Sequence, residues 1–533
     1  MSRPAHDLVI IGGGHNGLVC AAYCAAAGLD VAIVEKRPVL GGAAVTEEFH
    51  PGFRNSAAAY TVSLLHPRIM RDLRLAENGL RIVERRLANF WPHAEGTGLA
   101  LPADIAGAQA EVARFSKADA VALPGYLDTL ARTADLLRDL VLETPPNAGG
   151  GWREMLKAAR LLGRLRRLSL EEERTFLDFF TKSAADLLAQ WFENAHVKGA
   201  LGFDSIVGAY HSPCEAASAY VLLHHAFGEV NGKRGLWGHA IGGMGAITRA
   251  MAREAARRGV SVHRDAPVRE VLIEGRRATG VVLADGRTLT ARAVAANASL
   301  KLLYTELVDA AVLPGDFLRR MRAFRCASGT FRMNVALAEL PQFACRPASG
   351  VADHHTAGII IGPTLDYLDR AFRDARADGW SREPVIEMLI PSTLDATLAP
   401  AGRHVASLFC QHFAPALPGG RSWDEAREAA ADHVIATVDR YAPGFARSVI
   451  ARRILSPLDL EREFGLVGGD IFHGALGLDQ LFSARPMLGY ADYRGPVAGL
   501  YHCGAGAHPG GGVTGLAGHN AAREIIRDLR RRR

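Results

Sequence analysis

Short runs of consecutive apolar residues, each ending at a glycine or an acid, alternate along this chain with stretches of helical period. The run LVII at 8–11 leads straight into GGGHNG. The small and apolar residues at 18–27, ended by Gly28, suit a helix lying close on a strand. A second run, VAIV at 31–34, closes on Glu35. Strands without a polar face belong to a sheet covered on both sides, so this opening predicts strand, tight turn, helix and parallel strand.

Elsewhere the period changes. Residues 268–296 read as alternating strands with hairpin turns at EGRR and ADGR. At 500–503 a short strand, LYHC, precedes a glycine-rich turn over 504–512, and a helix follows from 514 or 515. Residues 106–230 look mainly helical, whereas FRMNVALAEL, AGIIIG, VIEMLIP and HVASLFCQHF between 325 and 415 look like strands. The expected class is α/β, with an α+β second domain.

Composition narrows the function. Apolar residues make up 49% and charged residues 22%, a globular balance that excludes a disordered chain, and 533 residues predict two or three domains. A net charge of +6 is too small at this size to point to nucleic acid. No uncharged apolar run reaches the length of a membrane span, and the N-terminal apolar stretch is too short for a signal peptide. The expected location is cytoplasmic, or peripheral at a membrane surface. The seven cysteines are scattered, and Cys20 and Cys24 lie i,i+4 within a helix rather than in a CxxC, which predicts free thiols in a reducing compartment.

Gly12, Gly14 and Gly17 form GxGxxG directly after the first strand. Gly12 permits the tight turn, Gly14 lets main chain approach a pyrophosphate, and Gly17 lets the helix lie on the strand. Gly13, His15 and Asn16 complete the loop, and Glu35, followed by Lys36, is spaced to accept ribose hydroxyls. With strand, helix, second strand and acid in register, a dinucleotide site is favoured over an ordinary glycine-rich turn.

Beyond Lys36, a second glycine turn at Gly41-Gly42 resembles flavoproteins of the glutathione-reductase and amine-oxidase type. Together with TEEFHPGFRNSAAAYTVSLLHPRIMRDLRL at 46–75 and GAGAHPGGGVTGLAG at 504–518, the chain resembles the phytoene-desaturase-like flavoproteins. It is most similar to their subgroup called pyridine nucleotide-disulfide oxidoreductase domain-containing protein 2. No redox CxxC is present, so disulfide-reductase chemistry does not follow. Amine oxidases often carry arginine after the double glycine; here Ala43 and Ala44 stand there, which counts against an amine oxidase.

The resemblance implies FAD, held by a Rossmann-type domain assembled from 1–105, 231–300 and 486–533. The inserts at 106–230 and 301–485 would form a substrate domain, a small sheet over the flavin capped by helices. It further implies that Val268 meets adenine through its main chain, and that Gly504, Gly511, Gly512, Val513 and Thr514 return to the flavin and phosphates. GHAIGGMG at 238–245 reads either as a second nucleotide turn or, as favoured, as a substrate-domain turn near the flavin.

No HExxH, Walker loop or GxSxG occurs, and the adjacent pairs His224-His225 and His354-His355 would point to opposite faces of a strand, so no metal site is expected. The flavin would carry the chemistry. The resemblance implies dehydrogenation or desaturation of a lipophilic, polyene or isoprenoid-like substrate, with hydride passing to flavin N5. His508, with His502 and His519 as neighbours, is the candidate base, against the plainer role of donating to a loop carbonyl. The electron acceptor is open among oxygen, a quinone and NAD(P). A redox-neutral isomerase, an amine oxidase and a flavin-binding interaction protein without turnover stay open as alternatives.

One further stretch stands out. Residues 152–170 carry Arg153, Lys157, Arg160, Arg164, Arg166 and Arg167 against one acid, Glu154, with Trp152, Met155, Leu156, Leu162 and Leu165 for an apolar face. Such a helix suits a membrane interface that admits a lipophilic substrate, or a core-packed helix with a solvated face. The Arg530 to Arg533 cluster reads as a solvated tail.

Overall fold

A computed structural model of the chain describes residues 4–147, 149–166 and 168–531. Arg167, Arg532, Arg533 and the side chains of Arg153, Arg164 and Leu165 lie outside the described residues. The chain builds two seven-stranded sheets.

The first sheet opens with β1 (His6–Ile11), α1 (His15–Ala26) and β2 (Val31–Val34). Much later come α2 (Gly245–Arg257), β3 (Ser261–His263), β4 (Val268–Glu274), β5 (Arg277–Leu283) and β6 (Thr288–Ala296), and finally β7 (Leu500–His502) and α3 (Leu516–Arg531). The order is β3-β2-β1-β6-β5-β4, with β7 also pairing β6. Strands β3, β2, β1, β6 and β7 run parallel, while β4, β5 and β6 form the antiparallel hairpins expected from EGRR and ADGR. In the first turn Gly275 and Arg276 both have positive φ, the geometry that matches the twist of its strands.

The apolar runs now have a physical cause. Leu8 and Ile10 pack into one core while Val9 and Ile11 pack into another on the opposite face, so no position of β1 is left for a polar side chain. Helix α1 is buried almost all round, against α2 and α3, which is why its residues are small or apolar.

Two expectations are corrected here. The turn at 238–245 packs with the nucleotide-binding part rather than the substrate region: Gly238–Ala240 pairs antiparallel with Ile82–Glu84 in a small sheet of its own, and α2, which follows, packs on α1 and delivers the chain to β3, which pairs in parallel with β2. His224-His225 and His354-His355 sit on a helix and a 3-10 turn, not on strands.

The second sheet runs in the order Val449–Leu455, Phe331–Leu337, His404–Phe413, Trp380–Leu389, Gly358–Ile361, Asn89–Pro92 and Gly98–Leu101. Its last two strands come from the segment assigned by sequence to the nucleotide domain. They join here because Asn89–Pro92 pairs in parallel with Gly358–Ile361. Alternation splits the sheet into two faces. Phe331, Met333, Ile386, Met388, Leu408 and Cys410 enter the largest apolar core, with helices Leu365–Asp378 and Trp423–Tyr441. The other face carries Arg332, Asn334, Glu387, Ser407, Phe409 and Gln411. It meets the chain at 55–60, where Asn55 donates to Asn334 Oδ1 at 3.0 Å and the Tyr60 ring stacks on Phe409 at 4.7 Å.

Candidate functional site

Between the carboxyl ends of β1, β2 and β6 and that polar face lies a cavity of about 440 Å³, where ligands of open α/β sheets bind. The first loop supplies Gly12, Gly14, His15 and Asn16. Gly12 turns the chain at φ +94°, and a Cβ on Gly17 would stand 2.3 Å from the Gly12 carbonyl oxygen, so the first turn of α1 rests directly on the strand end. The helix N-cap, Gly14, has no side chain to take up the free amides of that turn.

Glu35, 5% exposed, ends β2. Its carboxylate accepts the amides of Gly13 at 2.8 Å and Arg37 at 2.9 Å, locking the loop to the strand end. Lys36 lines the cavity and donates to the Arg462 carbonyl at 3.1 Å. The second glycine turn is held to the first by the Gly41 amide, which donates to the Gly13 carbonyl at 2.9 Å, and presents Gly42, Ala43 and Ala44. Val268 at the start of β4, and Gly512 and Val513 before α3, complete the expected lining.

The remaining expected residues stand outside it. Gly13, Gly17 and Gly41 support the loops from behind. Gly504 lies against the Asn297 backbone, where a Cβ would meet its carbonyl oxygen at 2.8 Å. Gly511 and Thr514 face a second cavity. So does His508, whose Nε2–H donates to the Leu140 carbonyl at 3.0 Å. The nominated base is therefore turned away from the main cavity. The glycine-rich loop separates two chambers, and proximity in sequence could not fix which one His508 enters.

Sequence reasoning missed Arg37, Tyr60, Ser299, Trp237, Phe472 and His473, all on the main wall. Isolated polar or aromatic residues in loops carry no period to find them by. Two of them are informative together with Asn16: the Asn16 Nδ2, Arg37 Nη1 and Ser299 Oγ atoms are buried and have no hydrogen-bond partner within the protein. Each such orphan costs about 1–3 kcal/mol, and donors gathered at one wall fit a ligand rich in acceptor oxygens, as phosphates and ribose are. At the opposite wall Tyr60 Oη donates to Glu387 Oε2 at 2.5 Å, burial pushes the Glu387 acid up, and the Arg332 guanidinium lies 4.9 Å from the Tyr60 ring centre.

The second cavity, about 370 Å³, shares Leu64 with the first and is walled by Phe176, Phe180, Tyr220, Phe227 and Leu161 among others. Leu161 belongs to the basic helix, which spans Trp152–Leu165 and stops short of the expected residue 170. Trp152, Met155, Leu156 and Leu162 are exposed, 66%, 71%, 46% and 58%, rather than packed into a core. No helix among the described residues is long and apolar enough to cross a membrane.

Neutral burial of histidine has a measurable consequence. His225, on the main cavity, and His508 are held down to about 4, and His412 and His502 to about 3, in each case chiefly by burial. As pH falls below 6.5 the unfolded chain takes up protons that the folded chain refuses, so stability is fully present above that pH and lost progressively toward 4 and below. Asp204 and Asp470, raised to about 6 by burial, act in the opposite sense between their ordinary range and 6, but they are fewer and less shifted. The urea midpoint is expected to fall steadily from pH 6.5 to 4; a flat profile would contradict neutral burial.

Known proteins match this arrangement. Residues 17–330 match the family described as flavin containing amine oxidoreductase. The chain is 43% identical to pyridine nucleotide-disulfide oxidoreductase domain-containing protein 2 of Rattus norvegicus, over 99% of this chain and 94% of that one. It is 27% identical to a phytoene desaturase (lycopene-forming) of Pseudescherichia vulneris, over 95% and 96%. The fold is that of cyclohexylamine oxidase from Brevibacterium oxydans, with a TM-score of 0.57 at 16% identity, covering 99% of this chain and 100% of that one. All seven cysteines are free, as expected from their spacing. With a family match over more than half its length and a close relative along nearly all of it, the chain belongs to the flavin-containing amine oxidoreductases, in the superfamily that also includes the phytoene desaturases.

Proposed function

We propose that the protein binds FAD in the main cavity and dehydrogenates or desaturates a lipophilic substrate. The observation that carries the substrate class is the adjoining chamber, whose wall is mostly apolar, with leucine and aromatic side chains predominating over polar members such as Arg138 and Glu229. The relatedness to a phytoene desaturase supports the same reading. Bound FAD supplies a two-electron acceptor.

The protein's own part is to bind, orient and keep dry. Asn16, Arg37 and Ser299 offer their unpaired donors to phosphate and ribose oxygens, and Gly512 and Val513 bring main chain to the cofactor. Glu35 keeps the loop in register and faces the ribose. Phe472 and Leu64 stand between the two chambers and exclude water. Tyr60 Oη, on the main wall, holds its proton toward the Glu387 carboxylate, so the pair can take up the proton that a substrate C–H loses. Tyr60 takes over the role that the sequence pattern offered to His508. The inserted segments cover the cofactor, and the final electron acceptor is oxygen, a quinone or NAD(P).

The purified protein is expected to show a flavin absorption spectrum, and heat denaturation to release FAD. Anaerobic mixing with an isoprenoid hydrocarbon is expected to bleach that spectrum, and reoxidation by each candidate acceptor then identifies the physiological one. A colourless protein that takes up no added FAD would overturn the cofactor. Bleaching by primary amines alone, with peroxide on aeration, would replace the desaturase by an amine oxidase.

A further inference from the structure

Beside the apolar chamber lies a shallower vestibule of about 280 Å³, and Leu140, Leu161 and Phe482 line both. The chemistry changes across that junction. Behind it the walls are Phe176, Phe180, Tyr220 and Phe227; in front of it stand Lys157, Arg160 and Arg523, with Glu143 as the acid of the vestibule. Lys157 is paired with Glu154 at 2.7 Å. Among the described residues neither Arg160 nor Arg523 is held by a carboxylate; Arg523 donates only to the Thr144 hydroxyl, at 3.0 Å. Two arginines uncommitted to any acid among the described residues, beside a chamber whose surface is mostly apolar although Arg138 and Glu229 reach it, form a site with two solvents: a drier end and a cationic end.

We infer that chamber and vestibule together bind an anionic amphiphile, an aliphatic chain in the chamber and a carboxylate or phosphate head between Arg160 and Arg523. A pure hydrocarbon leaves the two guanidiniums unused, and a polar anion leaves the chamber empty. Arginine forks match both head groups bidentately. The exposed Trp152, Met155 and Leu156 on the same helix give the chain an apolar surface to cross on its way in. The inference rests on the proposed lipophilic substrate only in making this chamber the approach to the cofactor cavity.

Such a head is carried by a free fatty acid or by a lipid in a bilayer, and the test separates them. The FAD-loaded protein is titrated by calorimetry with decanoate, dodecanoate and the corresponding alcohols below their aggregation limits. Affinity is expected to rise about fourfold per added methylene, and each acid to bind about tenfold more tightly than its alcohol. In an Arg160→Gln/Arg523→Gln double variant that difference is expected to vanish while the alcohols bind as before. Leu161→Glu, which charges the junction, is expected to weaken acid and alcohol alike. In parallel, the protein is sedimented with vesicles of phosphatidylcholine alone or with phosphatidylglycerol. Capture on the anionic vesicles alone, abolished in the double variant and unaccompanied by binding of free acids, assigns the head to a bilayer lipid. Equal affinity for acid and alcohol, or no binding in either format, overturns the inference. Neither result touches flavin reduction by a neutral isoprenoid, on which the proposed function stands, and failure of that reduction leaves these binding measurements intact.

Discussion

Gly518→Ala is expected to give a folded protein that no longer retains flavin. Gly518 lies in the first turn of α3, where that helix crosses the first turn of α1. A Cβ there would stand 2.1 Å from the Asn16 carbonyl oxygen and 2.9 Å from its carbon, and both are backbone atoms that no rotamer change can move. The helices must part by about an ångström, because a carbon tolerates an oxygen no nearer than its van der Waals distance. Overpacking of this kind costs about 1–3 kcal/mol of stability. Its effect on the site is larger than on the fold, since the displaced turn is the one that carries Asn16 and the free amides of the helix end. A loss of FAD affinity of about 100-fold is expected, from a misplacement of roughly one ångström at several hydrogen bonds worth about 1–1.5 kcal/mol each. The ratio of flavin to protein absorbance and a titration of the apoprotein read it out. Gly315→Ala is the control: nothing lies within 4 Å of its Cβ, and it occupies a helix start. Retention of flavin by Gly518→Ala at the level of Gly315→Ala would mean that the contact between the helices is not what positions the loop.

That expectation also shows what the sequence could and could not reveal. The glycines near the C-terminus announced a close approach of backbone to something, and two different partners account for them. Gly512 does line the main cavity, but Gly518 and Gly504 are small because protein backbone, that of Asn16 and Asn297, lies against them. β1, β2 and α1 were legible because burial on every side leaves an unbroken apolar pattern. Residues 89–92 and 98–101 were placed with 1–105 in the nucleotide-binding domain, whereas they form strands of the second sheet, because neighbours in sequence do not record which distant strand a segment pairs with. His508 was placed beside the cofactor by its neighbours in sequence, whereas a loop one residue thick has two sides. Tyr60, Arg37 and Ser299 gave no signal at all, because their roles follow from where three separate segments converge.

The other large effect expected concerns a residue with no motif around it. Arg485 is fully buried, and its guanidinium donates to the carbonyls of Phe472, Gly474, Ala475, Gln480 and Ala505, at 2.8–3.3 Å. The same loop is gripped from its other side by Asp470, whose carboxylate accepts the amides of Phe472 at 2.8 Å and Gly474 at 2.9 Å. One cation and one anion thus satisfy opposite ends of the peptide groups that carry Phe472 between the chambers, and Ala505 on the main wall hangs from the same cation. Arg485→Met keeps much of the volume and removes every donor. Five buried carbonyls lose a partner, and Asp470, already pushed up to about 6 by burial, loses the positive charge that favours its ionised form. Removing one member of a buried charged network costs about 3–5 kcal/mol, enough to unfold the loop and empty the cofactor site. Arg485→Lys decides what the arginine supplies. An ammonium restores the charge but reaches at most three acceptors. If lysine recovers both the urea midpoint and flavin retention, the charge opposite Asp470 is what holds the loop. If it fails as methionine does, the planar fork that joins Phe472 to Ala505 is the essential feature, and the wall between the two chambers is held up by hydrogen-bond geometry alone.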